Sequence, residues 1–147
     1  MHIDRLFAVA GSALDAQRQR LNIIAGNLAN AESTRAPGGG PFVRRDVIFQ
    51  PTGPASPFRR VFLQAFGSTT EPQGVKVARV VVDPRPNRHV YNPHHPDADA
   101  EGFVQLPNVN VIEEMTNLLA ASRAFEANLT VLETGKTLML RTLEMGR

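Results

Sequence analysis

The chain has 147 residues, no cysteine, and 16 basic against 14 acidic side chains, which leaves a formal net charge of +2. Disulfides, thiol nucleophiles and thiolate metal sites are therefore excluded. The near balance of charge gives no electrostatic reason to expect nucleic-acid binding. Hydrophobic residues make up 42% of the chain, which favours a folded protein, but no apolar run approaches the roughly 20 residues that a membrane span needs.

The N-terminal segment, residues 1–35, is predicted to contain a long helix from residue 3 to about residue 30. Its apolar side chains recur in alternating steps of four and three, as on one seam of a helix, and Gln17 is the polar exception. Gly11 and Gly26 each weaken a helix by about 1 kcal/mol relative to alanine, so the helix is expected to be marginal alone. The predicted assembly seam consists of Ile3, Phe7, Ala10, Leu14, Leu21, Ile24 and Leu28.

Residues 1–5 lack the basic and apolar regions of a cleaved secretory signal. We therefore expect that export, if it occurs, uses a route without a cleaved signal peptide.

The middle segment, residues 36–107, has a different character, because all 11 prolines lie between Pro37 and Pro107. Proline lacks the N–H that a helix interior requires, so this segment is predicted to be a β-rich module. Runs rich in Val and Phe and bounded by Pro, Gly or Asn predict strands at 43–50, 61–66, 75–83, 89–91 and 102–106. Residues 50–57 are predicted to be a loop or mobile insert. The valines at 80–82 do not alternate with polar residues, which predicts burial on both faces.

The C-terminal segment, residues 108–147, is predicted to be a second long helix. Asn110 is a suitable N-cap, Glu113 completes a capping box, and Glu113 and Glu114 complement the positive end of the helix dipole. The helix would be about 50 Å long, more than a small core can cover, so its seam is expected to need a partner. Ser122 and Lys136 interrupt that seam, which otherwise consists of Val111, Met115, Leu118, Phe125, Leu129, Leu132, Met139 and Leu143.

The predicted fold class is therefore α+β, with long N- and C-terminal helices forming a coiled-coil-like pair beside a small β-rich module.

Residues with catalytic or metal-binding chemistry are few. A cluster of His and Asp side chains could ligate a cation, but Pro93 and Pro96 interrupt its spacing, and a proline-rich turn explains it better. Its members are His89, His94, His95, Asp97 and Asp99. The glycines at 38–40 lack the Lys-Ser/Thr of a phosphate-binding loop, and no serine has a nucleophile-elbow context. We predict no catalytic, cofactor-binding or metal site, and no enzyme activity.

Several motifs together resemble a known family. Residues 27–34, followed by the glycine run and the Phe-Val-Arg-Arg sequence at 42–45, resemble the N-terminal signature of flagellar rod and hook proteins. Residues 91–115 and 122–128 are similar to a proximal-rod member of that family. The resemblance covers 1–45 and 88–147; 50–74 carries none, and Gly135 stands where a better helix former is expected. The matched signature residues are Asn27, Leu28, Ala29, Asn30, Ser33, Thr34, Asn108, Asn110, Glu113 and Glu114.

The resemblance implies a structural subunit of the bacterial flagellar basal-body rod, located in the periplasmic part of the flagellum. It implies export through the flagellar type III apparatus, no cofactor, and polymerisation with itself and other rod subunits through the terminal helices. Such a subunit would transmit torque and line the export channel. The residue pattern alone leaves an alternative, a cytosolic helical-hairpin adaptor or scaffold whose β-rich module binds a partner.

Overall fold

The structure is a computed structural model, and it describes residues 3–52 and 74–146. In chain order, the elements are helix α1 (Ile3–Ala29), strands β1 (Arg45–Pro51), β2 (Val75–Val82), β3 (Arg88–Tyr91) and β4 (Phe103–Leu106), and helix α2 (Val111–Met145). The α+β class with two long helices and a small strand module is confirmed. The predicted strand at 61–66 and most of the predicted loop at 50–57 lie outside the described residues, and Gln50 and Pro51 belong to β1.

The four strands form two two-stranded sheets, β1 with β2 and β3 with β4. The N–H of Thr52 donates to the carbonyl of Gly74 (2.8 Å) and that of Asp83 donates to the carbonyl of Arg44 (2.9 Å), so β1 and β2 are antiparallel. In the antiparallel β3–β4 ladder, Tyr91 pairs with Phe103.

The β3–β4 ladder ends at a position that requires glycine. The rings of Tyr91 and Phe103 meet edge to face with centroids 5.3 Å apart. Gly102 has a φ of 84°, and a Cβ built on it would lie 2.9 Å from the Tyr91 ring. Both the left-handed backbone and the close ring exclude a larger residue here.

The predicted burial of residues 80–82 on both faces is wrong. Val80 and Val82 are 48% and 60% exposed, whereas Val81 between them is half-buried. An unbroken valine run normally indicates a strand covered on both sides. Here β2 belongs to a two-stranded sheet whose alternate residues remain open, so the run alternates in burial although it does not alternate in sequence.

The chain forms two compact units, each built from segments distant in sequence. One contains residues 1–18, 49–78 and 123–147, and the other contains residues 19–48 and 79–122. The helices α1 and α2 therefore each contribute one part to each unit. The division into segments 1–35, 36–107 and 108–147 stays a prediction.

Each compact unit contains a contact between α1 and α2. In the first unit, Leu6 and Phe7 near the start of α1 lie against Gly135 of α2. In the second unit, Asn27 near the end of α1 hydrogen-bonds to Glu114 in the first turn of α2. Small side chains dominate the buried part of both helices, which permits close approach; they include Ala10, Ala16 and Ala121.

Close packing also explains why glycine replaces a better helix former at position 135. Gly135 is buried within α2. A Cβ built on it would lie 3.3 Å from Cδ2 of Leu6 and 3.5 Å from the Phe7 ring. A methyl group is tight against the flexible end of Leu6 and in ordinary contact with the Phe7 ring, so a longer side chain would have to displace both.

We therefore expect Gly135→Ala and Gly135→Leu to differ in sign or size. In Gly135→Ala, the gain of about 1 kcal/mol in helix propensity offsets the tight contact with Leu6. Gly135→Leu should lower the free energy of unfolding by about 1–3 kcal/mol through overpacking. Urea unfolding followed by far-UV circular dichroism measures both, and equal stability of the two variants would contradict the contact between α1 and α2 at this position.

Candidate assembly surface

The ends of four elements, α1, β1, β2 and α2, meet in what we call the buried polar cluster: Asn27, Arg44, Asp83 and Glu114. Asn27, Arg44 and Glu114 are buried, and Asp83 is half-buried. Nε and Nη2 of Arg44 each lie 2.8 Å from Oε1 of Glu114. Nδ2 of Asn27 donates to Oε2 of Glu114 (3.0 Å), and Nη1 of Arg44 lies 3.3 Å from Oδ2 of Asp83. Glu114 is fully buried, so its charge depends on these partners for compensation.

The partners of Glu114 are themselves fixed by bonds that do not involve α2. Asn27 exchanges two hydrogen bonds with the backbone of Arg45, accepting from its N–H (3.0 Å) and donating to its carbonyl (2.7 Å). The N–H of Arg44 donates to Oδ1 of Asn108 (3.0 Å), and Nδ2 of Asn108 donates to the carbonyl of Arg85 (3.1 Å). Asn27 and Arg44 are therefore held in place independently of their contact with Glu114.

Neighbouring groups shift the pKa values of two members of the cluster, Arg44 and Asp83. Burial lowers the pKa of the Arg44 guanidinium, but the hydrogen bond and charge of Glu114, followed by those of Asp46, outweigh it and raise the pKa overall. Hydrogen bonds from the side chain and backbone of Arg85 lower the pKa of Asp83 from 3.8 to about 2, with a smaller contribution from the charge of Arg44. Arg44, the single basic member of the cluster, thus pairs with two acidic members, Glu114 and Asp83.

The prediction from sequence gave Glu114 a different role and did not identify Arg44 or Asp83 as members of a buried cluster. Glu114 was expected to complement the helix dipole, whereas its carboxylate is buried against Arg44 and Asn27. In that prediction Arg44 appears only within the Phe-Val-Arg-Arg sequence at 42–45, and Asp83 only as the end of a predicted strand. The pairs within the cluster are far apart in sequence, from 39 positions for Arg44 and Asp83 to 87 for Asn27 and Glu114. No local spacing rule indicates such contacts.

Most of the other signature residues act near the ends of the two helices, and Thr34 makes a longer-range contact. Oδ1 of Asn110 accepts from the N–H of Ile112 (3.0 Å), which confirms it as the N-cap of α2. Asn30 donates to the carbonyl of Gly26 (2.8 Å) and Ser33 to that of Arg35 (3.4 Å), both at the end of α1. Thr34 donates to Asp97 (2.8 Å). Leu28 is half-buried, whereas Ala29 and Glu113 are exposed.

Three parallel rows of side chains run along α2. The central row contains Leu118, Phe125 and Leu132, all half-buried. The inward row, on one side of it, contains Glu114, Ala121, Asn128 and Gly135, of which Asn128 is half-buried and the rest are buried. The outward row, on the other side, contains Met115, Ser122, Leu129, Lys136 and Leu143, of which Ser122 is half-buried and the rest are exposed.

The predicted α2 seam is the sum of the central and outward rows, so the structure places its members unequally. Met115, Leu129 and Leu143 are 57%, 42% and 64% exposed, and Val111 and Met139, which continue the central row, are also exposed. The chain covers the small and polar inward row and leaves the more apolar outward row open. Further exposed apolar side chains on α2 are Ile112, Leu119, Val131, Leu138, Leu140 and Met145.

The predicted seam of α1 is covered throughout the residues whose side chains are described. Ala10 and Ile24 are buried, and the remaining members are half-buried: Phe7, Leu14, Leu21 and Leu28. The side chain of Ile3 lies outside the described part. Gln17, the polar member, is half-buried, and its Oε1 has no hydrogen-bond partner within the described residues. The unpaired apolar surface of the helices is therefore concentrated on α2.

The histidine- and aspartate-containing segment forms turns, as expected. The N–H of Asp97 donates to Nδ1 of His95 (3.1 Å), and Asp99 accepts from the N–H groups of Glu101 and Phe103. Asp97 is held by Thr34 and Arg35, which keep its pKa below the usual value. Over residues 3–52 and 74–146, no three potential ligands converge to hold a metal ion, and no helix is long and apolar enough to cross a membrane.

Comparison with known protein families shows to which class of proteins the chain belongs. Residues 7–36 match the family model described as flagella basal body rod protein, and residues 100–145 match the one described as flagellar basal body rod FlgEFG protein C-terminal. The two helices that these matches cover are those that meet at the buried polar cluster. The fold and the two family matches together show that the chain is a flagellar rod protein.

Full-length relatives narrow the class to one family. The chain is 45% identical to the flagellar basal-body rod protein FlgC of Yersinia enterocolitica and 46% identical to that of Salmonella typhimurium, in each case over 100% of both chains. It is 38% identical to the FlgC protein of Bacillus subtilis over 95% of each chain. The chain belongs to the FlgC family of flagellar basal-body rod proteins, a family of structural proteins and not of enzymes. The adaptor alternative is not favoured.

The dependence of the free energy of unfolding on pH in the acid range tests the contribution of Asp83 to the cluster. Because the pKa of Asp83 is lowered to about 2 in the folded chain, its ionised form stabilises the fold above about pH 4, and this contribution disappears as the pH falls toward 2. Asp83→Asn should lower stability at neutral pH and flatten the loss between about pH 4 and pH 2.

Urea unfolding at several pH values measures this effect, with Glu126→Gln, a change at an exposed residue of α2, as the matched control. Equal acid dependence of Asp83→Asn and the unmodified chain would contradict a stabilising role for the ionised Asp83.

Proposed function

We propose that the chain is a subunit of the flagellar basal-body rod that assembles with other copies and other rod proteins through the outward row of α2. The observation that carries this proposal is the exposure of Met115, Leu129 and Leu143 along one side of a 35-residue helix. Burial of such a side chain contributes about 1.5–3 kcal/mol, and repeated subunit contacts multiply that contribution.

The arrangement also supports a mechanical role. A helical assembly of identical subunits can repeat one helix-to-helix contact many times, which suits a shaft that transmits torque. The small side chains on the facing sides of α1 and α2 permit close packing, so paired helices of successive subunits can form the wall of a tube. We propose that this tube surrounds the channel through which later subunits pass.

We further propose that the chain reaches its periplasmic site through the flagellar type III export apparatus. Unfolded passage favours helices that are weak in isolation, and α1 contains Gly11 and Gly26 within its 27 residues. The buried apolar residues of the helices are mostly alanine, which bury little area each. Contacts with neighbouring subunits then supply the stability that the single chain lacks.

Substitution of the outward row tests the proposed surface. Leu129→Asp and Leu143→Asp place a charge at exposed positions, so the single chain should keep its fold while rod assembly fails. The matched control is Thr134→Asp, at an exposed polar residue of the same helix about 140° away from Leu129.

Complementation of a strain that lacks its own copy measures the result. We expect loss of swimming and of rods in basal-body preparations for both leucine variants, and normal swimming for Thr134→Asp. Normal swimming of Leu129→Asp and Leu143→Asp would exclude the outward row as an assembly surface.

The proposed dependence on neighbours makes a second prediction. The helices of 27 and 35 residues should be formed but marginally stable in the dilute purified chain, so that limited proteolysis cuts the two terminal segments first and helix content rises with concentration. Far-UV circular dichroism at low and high concentration measures the helix content. Full helicity and resistant termini in a concentration-independent monomer would contradict the proposal that assembly supplies the missing stability.

A further inference from the structure

Helix α2 could face α1 in two ways: with its central and inward rows, or with its central and outward rows. The central and inward rows face inward in the structure, whereas the central and outward rows form the more apolar stripe. Because successive residues of a helix are about 100° apart, the two arrangements differ by a rotation of about 50° about the helix axis. Hydrophobic burial alone favours turning Met115 and Leu129 inward in place of Ala121 and Asn128.

We propose that the buried polar cluster sets the rotation of α2, so that the apolar outward row stays available to a neighbouring subunit. Glu114 is the member of the cluster that α2 contributes, and it lies on the inward row. A rotation of α2 that brings Met115 inward removes the Glu114 carboxylate from Arg44 and Asn27. This inference rests on the proposed function for its purpose, but the rotation itself is a property of the single chain.

The geometry shows why the rotation is costly. Arg44 and Asn27 are both buried, and both are held by groups outside α2: Arg44 by Asn108 and Asp83, Asn27 by the backbone of Arg45. They cannot follow Glu114 if it moves. A rotated α2 would therefore remove both 2.8 Å contacts between the buried guanidinium and Glu114 and leave it only the 3.3 Å contacts to Asp46 and Asp83. It would also take the carboxylate from the buried amide of Asn27, and both losses are unfavourable for buried polar groups.

A polar residue inside a helix seam is a known means of selecting one packing arrangement at some expense of stability. Here the selected arrangement buries small and polar residues and exposes methionine and leucine. Glu114, Arg44 and Asn27 are thus positioning residues: they touch no partner subunit in this proposal, and act through the orientation of α2.

Thiol labelling tests the rotation directly, because the chain has no cysteine of its own. Met115→Cys reports on the outward row and Ala121→Cys on the inward row, and both positions lie in the same compact unit. In an otherwise unmodified full-length chain, Met115→Cys should react with N-ethylmaleimide at least about tenfold faster than Ala121→Cys, since the second side chain is buried. Equal rates would overturn the proposal.

The same two reporters are then placed in Arg44→Leu/Glu114→Leu, which removes one charge of each sign. We expect the ratio of labelling rates to fall at least about threefold while circular dichroism shows retained helix. The matched control is Arg123→Leu/Glu126→Leu, an equivalent change at exposed residues of α2, which should keep the original ratio. A retained ratio in the cluster variant, even with a lower unfolding midpoint, would mean that the cluster only stabilises the fold and would overturn the proposal.

A second variant keeps the test decisive if the double substitution loses its helices. Glu114→Gln keeps the size and hydrogen-bonding groups of the side chain but removes its charge, and should lower the labelling ratio in part. An unchanged ratio in Glu114→Gln would then overturn the proposal. If the ratio falls but swimming persists in the complemented strain, the rotation is supported and the proposed assembly surface is not.

Discussion

The contact between Glu114 and its two partners is the constraint on which the rest of the structure depends. A carboxylate with no exposed surface sits in the first turn of α2, and its compensation comes from Arg44 at the start of β1 and Asn27 near the end of α1. Burial of a charge is costly, so such a contact forms only when all three groups are in position. It therefore fixes the end of α1, the start of β1 and the first turn of α2 relative to one another within one compact unit.

That arrangement resolves an apparent conflict between sequence and packing. The most apolar stripe of α2 is not the stripe that the chain covers. In a protein that functions alone, exposed methionine and leucine along a helix would be a liability for solubility. In a subunit of a larger assembly, we propose, the same residues are the surface that neighbours cover. We propose that polar groups make the choice between the two faces, because both faces share the apolar row of Leu118, Phe125 and Leu132.

The sequence predicted the elements well because their signals are local. Proline is confined to the middle segment, so both helices end within about two residues of the predicted limits, and alternating or β-branched runs locate all four described strands. Local signals failed where the answer depends on distant contacts. Residues 80–82 read as a fully buried strand but have one open side, and Glu114 read as a helix-dipole residue although its partners lie 70 and 87 positions away. Gly135 read as a defect because Leu6 was not known to lie against it.

The composition of the two compact units has a consequence for how the chain acquires its structure. One unit needs residues 1–18 together with 123–147, and the other needs residues 19–48 together with 79–122. A chain that emerges from a ribosome or a narrow passage with its N-terminus first cannot complete the second unit until residue 122 is free, nor the first until the last residues follow. Folding is thus postponed to the end of emergence by topology alone, since the closing contacts are long-range.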